Sequence, residues 1–122
     1  MSRKILVIES DEDSLSLVKQ ILEEKGYTVF GSIYLENAFE ILGQGITIDV
    51  IFLSTYFENE EETSAIARLK EREQYSTIPI VGIVQSAETS EEADALEKGY
   101  TTVLVKPIGE EGLEKILKDL EI

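Results

Sequence analysis

Five short apolar runs, at 5–8, 28–30, 50–53, 80–84 and 103–105, constrain this chain more than any other feature. They are rich in β-branched residues and do not alternate apolar with polar, the pattern of strands buried on both faces. Between them the apolar residues fall at helical spacing: Leu15, Val18 and Leu22, then Leu35, Ala38, Phe39 and Leu42, then Ala65, Ile66 and Leu69. A weaker segment holds Ala93 and Leu96, and a clean stripe of Leu113, Ile116, Leu117 and Leu120 ends the chain. Strand and helix thus alternate five times. Right-handed crossovers turn such an order into a three-layer α/β/α domain, a doubly wound (βα)5 unit around a parallel five-stranded sheet.

The element ends carry matching chemistry. Gly26 and Gly99 each follow Glu-Lys and precede Tyr, a glycine placed for the left-handed conformation that closes a helix. Asp11, Asp13 and Ser14 offer capping oxygens ahead of the first helix. Thr89 or Ser90 does so ahead of the fourth, with Glu92 placed as in a capping box. The repeated Glu-Lys-Gly-Tyr word is shared turn chemistry and no sign of an internal repeat. With 122 residues and no Pro-, Gly- or Ser-rich linker, the chain is expected to form one domain over 1–122.

Composition then narrows the chemistry. Without cysteine there is no disulfide, thiolate metal site or cysteine nucleophile, and without histidine the commonest general base and zinc ligand are missing. Lys plus Arg total 11 against 25 Asp plus Glu, a net charge of −14, which nucleic acid and anionic lipid would repel. The apolar run 5–8 is too short for a signal peptide, and no run approaches the roughly 20 residues that cross a bilayer. A cytoplasmic protein with neither nucleic-acid nor membrane contacts is expected.

In sheets of this kind ligands gather beyond the carboxyl ends of the strands, where strand order reverses. Four places follow: Glu9-Ser10-Asp11, Ser54, Val84-Gln85-Ser86 and Lys106-Pro107. The residues leading into them resemble the receiver domains of bacterial two-component response regulators. The resemblance rests on Ile5-Leu6-Val7-Ile8-Glu9-Ser10-Asp11, Asp49-Val50-Ile51-Phe52-Leu53-Ser54, Ile78-Pro79-Ile80-Val81, and Leu96-Glu97-Lys98-Gly99 leading to Val105-Lys106-Pro107. It implies the flavodoxin-like, CheY-like strand order 2-1-3-4-5 and a non-enzymatic role in phosphorelay signalling.

In that family an acid pair after strand one and an aspartate after strand three hold Mg²⁺, and the aspartate accepts phosphate. By resemblance the acid pair falls on Glu9 and Ser10, with Asp11 beside them, and the acceptor position on Ser54. The strand-four hydroxyl falls on Val84, the strand-five aromatic switch on Val103, and the pocket lysine on Lys106 before Pro107, where the preceding bond is often cis. Only the lysine and proline keep the usual identity.

Three carboxylates have become one, and Glu9 is a methylene longer than aspartate, so Mg²⁺ binding is expected to be weak or absent and no cofactor is expected. Ser54 lacks a histidine base to activate it. Lys106 is expected to pair with Glu9, since a buried unpaired lysine is costly. Asp11 and Asp13 are expected to serve the first helix. The chain is therefore expected to be a pseudo-receiver acting through protein contacts. The resemblance places those contacts on the face formed by 90–98, 101–105 and 110–120, which would carry Glu91, Glu92, Asp94, Lys98, Thr102, Lys115 and Lys118. The alternatives are a receiver that uses Ser54 or Asp11 as a non-standard acceptor, a small phosphatase built on Asp11-Glu12-Asp13, and a flavin- or nucleotide-binding domain, which the acids after strand one oppose. Tyr56 and Phe57 form a further possible docking point.

Overall fold

The computed structural model describes residues 3–54, 62–84 and 99–122. Five strands, β1 (Lys4–Ile8), β2 (Thr28–Ser32), β3 (Val50–Ser54), β4 (Ile80–Val84) and β5 (Thr102–Val105), form one parallel sheet in the order β2-β1-β3-β4-β5. The helices in the described residues are α1 (Glu12–Glu24), α2 (Leu35–Leu42), α3 (Glu62–Glu71), the single turn α4 (Glu73–Ser76) and α5 (Glu110–Asp119). The expected doubly wound architecture and strand order are both present. The sequence pattern did not anticipate α4. The segment around Ala93 and Leu96, the Thr89, Ser90 and Glu92 cap, and Tyr56 and Phe57 lie outside the described residues.

The absence of alternation has its cause in the layers. β1, β3 and β4 are buried along almost their whole length because helices cover both faces. Their Ile5, Val7, Val50, Phe52, Val81 and Ile83 pack on one side with Val18 and Leu22 of α1 and Leu113, Ile116 and Leu117 of α5. On the other side Leu6, Ile8, Ile51, Leu53, Ile80 and Val84 meet Leu35, Ala38 and Leu42 of α2 and Ile66 and Leu69 of α3. The edge strands depart from that pattern: Thr28 and Gly31 of β2 are exposed, and most of β5 is half-buried. An edge has a neighbour on one side only, so helices cover it incompletely.

Of the three capping residues expected ahead of α1, Asp11 caps the helix, whereas Asp13 and Ser14 lie inside it and donate to the Asp11 carboxylate. Asp11 is the extended N-cap of α1, and both Gly26 (φ +96°) and Gly99 (φ +114°) take the left-handed conformation. Arg68 of α3 lies 3.8 Å from the Phe39 ring centroid and 3.2 Å from Glu36, and the Tyr75 hydroxyl donates to the Leu42 carbonyl at 3.0 Å. These contacts tie α2 to α3 and to the turn after it. No helix of the described residues is long and apolar enough to cross a membrane.

Candidate functional site at the carboxyl ends of the strands

The chain leaves β1 for β2 on one side and returns to β3 on the other, so strand order reverses between β1 and β3. Glu9 follows β1 and Ser54 ends β3; they lie side by side because Ile8 is in register with Leu53. Both are buried, and among the described residues the only other buried polar side chain is Ser32. The Glu9 N–H continues the ladder by donating to the Ser32 carbonyl at 2.9 Å. On the far side, the Lys106 N–H donates to the Val84 carbonyl at 3.0 Å, and the Lys106-Pro107 bond is cis.

The side chains of Glu9 and Lys106 meet. Lys106 Nζ donates to Glu9 Oε1 at 2.8 Å, with Glu9 1% and Lys106 17% exposed. The pair joins β1 to β5 across the ends of β3 and β4, three strand intervals or roughly 14 Å of backbone. Two long side chains are needed for that reach, and the extra methylene of glutamate contributes to it. The ion pair expected between these residues is thus present. Glu9 Oε2 is buried and has no hydrogen-bond partner.

Asp11 serves the helix. Its carboxylate accepts from the Ser14 hydroxyl at 2.7 Å and from the Asp13 N–H at 3.2 Å, and stands 3.9 Å from Lys106 Nζ. The Ser14 hydrogen bond foremost holds its carboxyl below the usual aspartate range against the opposing effect of desolvation, and the Asp13 N–H and the Lys106 charge add to the lowering. Ser10 is exposed, whereas Val84 is fully buried and Val103 half-buried in the α2–α3 layer.

Mg²⁺ asks for near-octahedral oxygen ligands, usually one or two carboxylates with water and phosphate. One buried carboxylate, half taken by an ammonium group, is a poor start. Asp11 is engaged at the helix start, and among the described residues no three acidic, cysteine or histidine side chains converge on a point. A divalent cation at Glu9 would also lie against the Lys106 charge. Among the described residues this is a sparse donor set for the ion.

The chain matches the family model for the response regulator receiver domain over residues 5–118. It belongs to that family. This receiver resembles the chemotaxis response regulator CheY4 of Vibrio cholerae, at 22% identity over 98% of this chain and 99% of that one, with a TM-score of 0.87. It also resembles a two-component response regulator from Clostridium difficile, at 27% identity over 98% and 96%, with a TM-score of 0.85. A third likeness is the receiver domain of a signal transduction histidine kinase from Syntrophus aciditrophicus, at 23% identity over 98% and 89%, with a TM-score of 0.83. No curated protein matches the chain. Receiver domains are signalling modules of two-component systems and are generally non-enzymatic.

Sequence reasoning passed over one arrangement nearby, the contact of Tyr100 with Gly82. A glycine inside the β-branched run Ile80-Val81-Gly82-Ile83-Val84 was the signal that could have found it, since glycine in a strand often marks a close approach.

Proposed function

We propose that this receiver signals without phosphorylation, as a cytoplasmic module that engages a protein partner through contacts alone. The observation that carries this reading is the Glu9–Lys106 ion pair, which spans the strand ends on either side of Ser54. A lysine free to meet an incoming phosphoryl group would have to leave a buried carboxylate that already lacks one hydrogen bond. Ser54, at the acceptor position, is fully buried and has no histidine base, and Val84 offers no hydroxyl to a phosphoryl oxygen. Val103 replaces the aromatic whose rotamer would report the switch. The partner surface is the face formed by 90–98, 101–105 and 110–120, of which 90–98 lies outside the described residues; on the rest, half-buried Thr102 and exposed Lys115 and Lys118 lie among acids, a mixture suited to a specific protein contact.

The test is a titration with Mg²⁺ and beryllofluoride, a phosphoryl analogue, followed by amide chemical shifts. The expected outcome is no saturable change at Glu9, Ser54 or Lys106. Saturable shifts there that spread to β5 and α5 would instead establish a phosphate-responsive receiver.

A further inference from the structure

A glycine in the middle of a strand leaves a gap in the side-chain layer, and that gap weakens the sheet unless another group fills it. Gly82 lies between Ile80 and Val84, both of which face the α2–α3 layer. The filling group is Tyr100. A Cβ built on Gly82 would stand 2.8 Å from Tyr100 Cδ1, 3.0 Å from Cε1 and 3.1 Å from Cγ, so the ring rests on bare backbone. Tyr100 is 4% exposed and belongs to the same apolar cluster as Leu53, Ile66, Leu69 and Val84.

The chain on either side of the ring is held. Gly99, at φ +114°, makes the turn into the core, and a Cβ there would come within 3.2 Å of Ile66 on α3. Thr101 then bonds β4 twice: its N–H donates to the Ile80 carbonyl at 2.7 Å and its hydroxyl oxygen accepts from the Ile80 N–H at 3.2 Å. Gly82 is in register with Val103, so the strand position beside the ring is the one that carries a small aliphatic side chain.

We propose that Tyr100, seated on Gly82, is a fixed wedge that holds the β4–β5 layer, including Val103 and Val105, in one conformation independent of events at Ser54. A densely packed interior changes state only where a second packing exists. A ring lying on backbone, with bonded chain beside it, would have to give up these contacts to take a second position. The geometry stands by itself, and its meaning for signalling rests on the phosphorylation-independent function proposed above.

Methyl relaxation dispersion on Ile-, Leu- and Val-labelled protein tests the wedge, with Val84, Val103, Val105 and Ile66 as reporters. Flat profiles are expected for the wild type and for Tyr100→Phe, which keeps the ring. Tyr100→Ala removes the wedge and is expected to produce microsecond-to-millisecond exchange at Val103 and Val105. Should Tyr100→Ala fail to fold, Tyr100→Leu, which leaves only part of the space open, decides in the same way. Exchange at Val103 and Val105 in the wild type, or flat profiles in a folded variant without the ring, would overturn the proposal. Repeating the wild-type measurement with Mg²⁺ and beryllofluoride separates it from the function it deepens. A response at Glu9 and Lys106 that leaves Val103 and Val105 flat breaks the phosphorylation-independent reading and keeps the wedge. Exchange in the untreated protein with no response to the analogue does the reverse.

Discussion

Two lysines of this receiver bind glutamate in different surroundings. Lys106 meets Glu9 at the carboxyl ends of the strands, where the glutamate is 1% exposed. Lys25, the C-cap of α1, reaches Glu114 at 2.6 Å and Glu110 at 3.3 Å on α5, and those glutamates are 55% and 69% exposed. The shorter distance belongs to the surface pair, yet distance does not rank them. Water competes for the exposed carboxylates and salt screens them, whereas the buried carboxylate has given up its hydration and depends on its partner. Burial therefore makes Lys106 the residue whose loss the domain feels.

The largest expected effect comes from Lys106→Met, which leaves the Glu9 charge buried and unpaired. Urea unfolding should show a loss of about 3–5 kcal/mol. The double variant Glu9→Leu/Lys106→Met replaces the pair with apolar groups and should recover most of that loss, because the penalty comes from the stranded charge. A single variant as stable as the wild type would show that water already reaches Glu9.

Glu9→Gln should cost less, about 1–2 kcal/mol. It keeps the shape and a hydrogen-bond acceptor for Lys106, and the lysine, 17% exposed, can turn toward solvent. A cost equal to that of Lys106→Met would mean that the two partners are stranded equally and that the asymmetry of burial is irrelevant.

Acid titration gives a smaller effect at Asp11. Its folded carboxyl is held below the usual value, so its contribution is complete at neutral pH and disappears as pH falls through the folded pKa, below the ordinary value of about 3.9. Asp11→Asn keeps a capping oxygen but removes this titration. The stability difference between wild type and Asp11→Asn should therefore shrink at the acid end, and an unchanged difference across that range would contradict the assignment.

Lys25→Met should give the smallest change. The Glu114 hydrogen bond foremost, with Glu110 and the charges of both, raises the Lys25 pKa against a smaller desolvation effect. The contribution is then complete below the ordinary lysine value of about 10.4 and is lost as pH rises through the folded one. Molar salt should erase most of the difference between Lys25→Met and the wild type, while leaving the effect of Lys106→Met largely intact. Equal salt sensitivity in the two would remove the contrast between them.

Much of the fold was legible because its causes are local. β-Branched runs without alternation mark strands covered on both faces, and that pattern located β1, β3 and β4. It overstated the coverage of β2 and β5, because a run of residues does not say which strand will stand at an edge. Asp11 could be assigned to the start of α1 because its partners, Asp13 and Ser14, are two and three residues away. Glu9 and Lys106 were paired in expectation through length and charge, but a sequence does not carry the burial of one carboxylate oxygen without a hydrogen bond.

The word Glu-Lys-Gly-Tyr, which occurs at 24–27 and again at 97–100, marks the division most plainly. Sequence by itself determined that both glycines turn left-handed, since a helix end and a missing side chain are enough for that. It did not separate the two tyrosines. Tyr27 stays half-buried beside the α1–α5 layer, while Tyr100 is driven into the opposite layer and lies on Gly82. Tertiary structure decided that difference because the space a ring can enter is set by residues far away in sequence, here by the side chain that Gly82 lacks.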